Sequence, residues 1–151
     1  MITYQQEFLS TVEGEAKPLL EAHWEEIALN KEKIKLNPDW EIYHSLEDAN
    51  QLKIFTAREG GKLIGYFVVF VRTNPHYKDH LFASNDIIFV SEPYRKGFTG
   101  TKLIRFAEKC LKEDGVSVLT INTKRHKPFD SILCRLGFKH IENIYSKYLG
   151  D

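Results

Sequence analysis

Apolar positions recur at helical spacing early in the chain. Ala16, Leu20, Trp24, Ile27 and Ala28 fall on one side of a helix over residues 16–30, with His23 beside Trp24 and Pro18 in the first turn. Asn37-Pro38-Asp39 interrupts the pattern. A second, short helix follows, carrying Trp40, Tyr43 and Leu46, with Asp39 as its cap. The period then shortens. Residues 53–58 are extended, and Gly60-Gly61 forms a hairpin turn into the run Leu63–Arg72. That run is apolar on both faces, so it predicts a central strand covered on both sides. Asn74-Pro75-His76 ends it, and residues 74–80 are expected as a mobile loop. A further strand spans residues 81–90.

The last third alternates. Residues 100–114 form a helix with Leu103, Ile104, Ala107, Cys110 and Leu111 on one face and Gly115 as its stop. Residues 116–122 form a strand. Residues 128–136 form a short helix closed by Gly137, and one or two strands fill residues 138–148, with an edge strand expected at 2–9. The strands at 81–90 and 116–122 flank a helix, so they should run parallel, while the earlier hairpins are antiparallel. The fold class is a mixed α/β sheet protein, expected as one domain over residues 1–151.

The segment with chemical content is Val90-Ser91-Glu92-Pro93-Tyr94-Arg95-Lys96-Gly97-Phe98-Thr99-Gly100-Thr101. A strand ends, a glycine-containing turn follows, and a helix opens on small and hydroxyl residues. Such a turn converges backbone N–H groups on one point, with the positive end of the helix dipole behind them. Arg95, Lys96 and Lys102 add positive charge, and a diphosphate is the natural ligand. On spacing alone, an ordinary β–α connection explains the glycines equally well. The turn lacks the Lys-Ser/Thr ending of a P-loop, and no first βαβ unit precedes it.

Composition narrows the classes. Lys+Arg and Asp+Glu both number 21, so the balance gives no sign of a nucleic-acid binder. No apolar run approaches the ~18 residues of a membrane span. The first residues do not form a signal peptide. Cys110 and Cys134 are the only cysteines, read as reduced thiols in a cytoplasmic protein. The six histidines show no zinc-ligand spacing, so no metal is expected.

At the 90–101 segment the sequence resembles the GNAT acetyltransferase family. That family's loop reads Arg/Gln-x-x-Gly-x-Gly/Ala after a strand ending Val-x-Pro-x-Tyr. Val90, Tyr94, Arg95 and Gly100 match, as does the helix run Lys102-Leu103-Ile104. Residues 58–66 look like the family's hairpin into its third strand, and Leu136-Gly137-Phe138 like its Leu-Gly-Phe ending. Phe98 replaces the first loop glycine, with Gly97 beside it, and proline stands at 93 rather than 92.

The resemblance implies the acyl-CoA N-acyltransferase fold, a central mixed six- to seven-stranded sheet flanked by about four helices. It implies acetyl-CoA as donor and a primary amine of a small molecule or peptide as acceptor, with a homodimer as a possible assembly. Pantetheine would pair with the backbone of Ile88, Phe89 and Val90. The diphosphate would lie on Arg95, Lys96, Gly97, Phe98, Thr99, Gly100 and Thr101. Asn122 and Thr123 would reach the pantetheine from the neighbouring strand. Asp86 is the candidate base, grouped by period-two alternation with Ser84, Ile88 and Val90; a solvated strand carboxylate is the alternative. The family's usual acid, a tyrosine four residues before the Leu-Gly-Phe glycine, is replaced by Leu133, leaving Tyr145 as a substitute acid or a packing residue. A catalytically silent acyl-CoA-binding module is the competing function, and a nucleotide-phosphate binder a third.

Overall fold

The structure is a computed structural model describing residues 1–151. Its elements, in chain order, are β1 (Ile2–Glu7), α1 (Leu9–Ile27), α2 (Trp40–Asp48), β2 (Leu52–Glu59), β3 (Lys62–Asn74), β4 (Tyr77–Val90), α3 (Thr99–Glu113), β5 (Val116–Thr120) and α4 (Asp130–Arg135). One sheet runs in the order β1-β2-β3-β4-β5. Its first four strands are antiparallel, and β5 pairs parallel to β4.

The two-sided apolar run of β3 does what its pattern requires. Phe67, Val69 and Val71 face a core shared with Phe55, Leu103, Ile104 and Ala107, under α3. Tyr66 and Val68 face a second core with Leu9, Val12, Leu52 and Phe89, under α1. Leu63 joins the Tyr66 face although the two are three positions apart, an odd step. A bulge at the Ala57/Arg58 step leaves Ile64 without a partner and shifts the alternation by one. Gly60 and Gly61, both at positive φ (56° and 82°), make the two-residue hairpin turn that joins β2 to β3.

The helices depart from expectation at their ends. α1 starts at Leu9, so Pro18 lies well inside it rather than in the first turn. The carbonyl four residues before Pro18 belongs to Gly14 and loses its intrahelical donor there. Leu9 and Val12 are buried and continue the apolar side back to the helix start. The free Leu9 N–H donates to Glu47 of α2 at 2.8 Å. Asp39 caps α2 as expected, accepting from the Ile42 N–H at 3.1 Å. α4 ends in a Schellman arrangement. Gly137, at φ 91°, donates to the Cys134 carbonyl, and Phe138 donates to that of Leu133.

Two expectations about strands are corrected. Residues 74–80 are the end of a hairpin rather than a loop. β3 and β4 continue to Asn74 and Tyr77, which pair across a tight turn, and the Asn74 side chain accepts from the His76 N–H at 2.8 Å. The polar stretch Lys78-Asp79-His80 hid the start of β4. The sheet has five strands rather than six or seven, because residues 138–148 carry no strand. Ile141, Ile144, Tyr145 and Tyr148 follow a three-and-four spacing that gives a strand no single apolar face, and all four side chains are exposed.

Candidate active site

β4 and β5 are paired only from Leu81↔Val116 to Ser84↔Thr120. Beyond Ser84 the two chains part. The side chain of Asn85 fills the apex: its Oδ1 accepts from the Asn122 N–H at 2.9 Å, and its Nδ2 donates to the Asn122 carbonyl at 3.4 Å. A side-chain amide thus replaces the next ladder step. From Ile87 to Val90, β4 pairs with β3 on one edge and with no strand on the other.

The free stretch of β4 leads to the turn. A short 3-10 segment, Glu92–Tyr94, follows Ser91, and the chain reaches Gly97 at φ 97°, a conformation that disfavours side chains with a Cβ. Phe98, 65% exposed, stands at the N-cap of α3 and offers no side-chain cap. The first intrahelical bond is Lys102 N–H to the Phe98 carbonyl at 2.8 Å. The N–H groups of Thr99, Gly100 and Thr101 therefore have no acceptor within the helix, and they carry the positive end of its dipole. Lys96 and Lys102 are exposed beside them.

Arg95 sits elsewhere than its sequence position suggests. Its N–H donates to the Glu92 carbonyl, its Nε to the Val90 carbonyl at 2.7 Å, and its terminal nitrogen to Glu26 of α1 at 2.7 Å. The guanidinium also stands over the Phe89 ring at 5.3 Å. This guanidinium is engaged by the end of β4 and by α1. The Arg95 hydrogen bond, against some burial, holds the Glu26 carboxyl below its usual range. His23 lies 5.2 Å from Phe89, ring to ring, and burial pushes its imidazole toward the neutral form. On the opposite arm, Thr123 donates to Asp130 at 2.8 Å, and His126 meets the Ile27 carbonyl at 3.0 Å. The C-terminal end of α1 therefore touches both sides of the opening.

Asp86 occupies a bulge. Val68 pairs with Ile87 and Val69 with Asn85, so Asp86 has no partner on β3. The extra residue resets the alternation. Asp86 and Ile87 both face the α1–α2 side, while Ile88 turns to the α3 side. The expected grouping of Asp86 with Ile88 and Val90 is thereby corrected: strict period two does not survive a bulge. The Asp86 carboxylate accepts from the Tyr43 hydroxyl at 2.6 Å. Burial raises its pKa and the Tyr43 bond opposes that rise without cancelling it, so its proton is held more tightly than in an ordinary aspartate. Burial and the adjacent carboxylate push the Tyr43 phenol up well beyond its usual range, so it remains a donor. The Tyr66 hydroxyl is buried and has no hydrogen-bond partner.

These groups meet at a cavity of about 350 Å³ between α1, the 34–38 segment, α2 and the sheet. Fifteen of its nineteen lining residues are hydrophobic, including the aromatic cluster Trp24, Trp40 and Tyr43, which thus faces a cavity as well as the core. Tyr145 is not among them. It is 90% exposed in the terminal segment. Leu133, where the family's acid would stand, is buried in the α3-side core. No group of three or more His, Cys, Asp or Glu side chains is arranged to hold a metal. No helix is long and apolar enough to cross a membrane. Asn85, Tyr66 and Glu26 did not emerge from sequence patterns. A polar residue inside a strand was the one available signal for Asn85.

The mixed sheet and its flanking helices superpose on solved acetyltransferase structures, which share the fold. The ribosomal-protein-alanine N-acetyltransferase of Brucella melitensis biovar Abortus 2308 superposes with a TM-score of 0.73 at 19% identity, covering 99% of this chain and 100% of that one. An aminoglycoside acetyltransferase from an uncultured soil metagenomic sample, solved with sisomicin, gives 0.73 at 16% identity, covering 98% and 97%. A predicted acetyltransferase from Clostridium acetobutylicum, solved with acetyl-CoA, gives 0.74 at 12% identity, covering 98% and 96%. No curated protein matches the chain by sequence. The family model for the Acetyltransferase (GNAT) family matches residues 17–133, and the chain belongs to that family.

Proposed function

We propose that this protein transfers an acetyl group from acetyl-CoA to a primary amine, with the amine attacking the thioester directly while both are bound. The observation that carries this reading is the parting of β4 from β5 after Ser84, along a line that ends at the uncapped start of α3. Pantetheine is a chain of amides and needs main-chain partners. The free edge at Ile88, Phe89 and Val90 offers them, apart from the Val90 carbonyl that Arg95 takes; on the other arm stand Thr123 and the side chain of Asn122, whose own N–H and carbonyl are taken by Asn85. A diphosphate needs converging N–H donors, and the stretch Lys96–Thr101 offers these. In this reading Arg95 anchors the end of β4 rather than the phosphates.

The chemistry follows from charge. The acceptor arrives as an ammonium ion and must lose a proton before it can attack. Asp86, beside the apex of the opening and with a raised pKa, is suited to take that proton. The neutral nitrogen then adds to the thioester carbonyl. Backbone N–H groups near Phe89 and Val90 stabilise the oxyanion. As the C–N bond is completed, the C–S bond breaks and the nitrogen loses its second proton. One of the two protons ends on the coenzyme sulfur and one in solvent. Tyr145 would act as acid only if the terminal segment folded over the opening. A thiolate leaves readily enough for solvent to protonate it. Holding both reactants in one cleft supplies much of the acceleration.

The replacement of the family tyrosine by Leu133 favours a second reading, a module that binds acyl-CoA without turning it over. Thermal shift with acetyl-CoA, CoA and ATP tests the donor, and an amine screen tests turnover. Stabilisation by both CoA species but not ATP, with product formed, is the expected outcome. Stabilisation by ATP alone would overturn the reading.

A further inference from the structure

The cavity beside Asp86 carries information about the acceptor. Four aromatic side chains, Trp24, Trp40, Tyr43 and Tyr66, contribute to its wall. Each indole has a lysine over one ring face, Lys31 at 5.6 Å from Trp24 and Lys17 at 5.2 Å from Trp40. The lining holds one acidic group, Asp86, and one basic group, Lys35. Two hydroxyls matter beside the Asp86 carboxylate: that of Tyr43, bonded to it, and the unpartnered one of Tyr66. A buried polar atom without a partner is costly unless a ligand or water meets it.

This pattern selects among amines. A polyamine or amino sugar brings several cations or hydroxyls, and the cavity offers one countercharge and an apolar wall. A monoamine on a flat apolar body fits both: nitrogen toward Asp86, rings against the indoles. Resting on the transferase reading above, we propose that the acceptor is an aromatic primary monoamine, its ring lodged between α1 and α2 and its nitrogen directed to Asp86 beside the apex where β4 leaves β5.

The test uses the full chain and acetyl-CoA with 2-phenylethylamine, hexylamine, ethanolamine, spermidine and an alanine-initiated peptide. The expected kcat/KM for 2-phenylethylamine exceeds that of hexylamine at least tenfold and those of the polar amines a hundredfold or more. Trp40→Ala should raise the KM for 2-phenylethylamine tenfold or more and leave the thermal shift given by acetyl-CoA unchanged. Trp40→Phe, which keeps an aromatic wall, should recover most of the loss. Preference for spermidine, ethanolamine or the peptide would overturn the proposal while leaving acetyl transfer intact. So would a strong preference for long-chain acyl-CoA donors that Trp40→Ala abolishes, since the cavity would then hold the acyl chain. Quenching of tryptophan fluorescence by 2-phenylethylamine gives a readout independent of turnover. Saturable quenching is expected without donor, and its absence overturns the assignment of the cavity. Failure of acetyl-CoA to bind would instead sink the transferase reading.

Discussion

Gly65 lies opposite Val90, at the end of β4 that borders the opening. A Cβ placed there would sit 3.0 Å from the Phe89 carbonyl oxygen, 3.3 Å from a Val90 methyl group and 3.5 Å from the Val90 Cα. Two of these three neighbours are backbone atoms, so no side-chain rotation relieves the crowding. Something must move by a few tenths of an ångström, and the route is set by topology. β3 is held by β2 on its far edge, whereas β4 here has no neighbour beyond it. Relief therefore displaces the Phe89–Val90 backbone into the opening. Overpacking of this kind costs about 1–3 kcal/mol, which for a chain of this size lowers Tm by roughly 2–12 °C. Gly65→Ala should thus melt lower and show a raised KM for acetyl-CoA, with a smaller change in KM for the amine. Gly14→Ala is the control. Its Cβ meets nothing within 4 Å in the middle of α1, so it should stabilise the protein by about 0.5–1 kcal/mol. Differential scanning calorimetry and initial rates decide the matter. If Gly65→Ala melts at or above the wild type with an unaltered donor KM, the close approach and its link to the donor edge are refuted.

Asp86→Asn should lower kcat by about 10²–10⁴ while leaving the acetyl-CoA thermal shift intact. Because burial raises the Asp86 pKa in the folded protein, its ionisation opposes folding as pH rises through that value; the variant should melt above the wild type at pH 8, with the gap closing in acid. Activity of the wild type should fall as pH drops through the same raised value, above the 3.8 of a free aspartate, and a limb at or below 3.8 would argue against Asp86 as base. Tyr43→Phe removes the one donor to that carboxylate and should move the acidic limb of kcat/KM to higher pH, measured against the wild type in the same buffers. Arg58 joins Glu7 at 2.9 Å and Glu15 at 2.9 Å, tying β1 and α1 to β2. Burial would raise the Glu7 pKa, but bonds from Arg58, Thr56 and Gln5 outweigh it and hold it low, so the pair stabilises the fold above the ordinary glutamate range and loses this effect as pH falls through the folded value. Arg58→Ala should cost about 3 kcal/mol at pH 7, by chemical denaturation, and much less in acid; equal losses at both pH values would contradict the ion-pair account.

Periodicity and turn chemistry determined most of the local structure. The two-sided run of β3, the Gly60-Gly61 turn, the Asp39 cap and the Gly115 and Gly137 stops are consequences of what neighbouring residues can do within a few positions, and each is realised. The loop after Val90 was legible for the same reason: its glycines and the start of a helix are local features. What the sequence could not decide arises between elements. The point at which β4 and β5 cease to pair is marked by Asn85 meeting the backbone of Asn122, a contact over 37 residues that no local pattern encodes. The bulge at Asp86 exists only relative to β3, yet it decides that Ile87 shares the carboxylate's side and Ile88 does not. Arg95 reads as a phosphate ligand from its position in the loop, and its pairing with Glu26 depends on where α1 lies. The pattern of polarity fixes which elements form; the pairing register and the crossing of helices over the sheet fix which polar atoms meet.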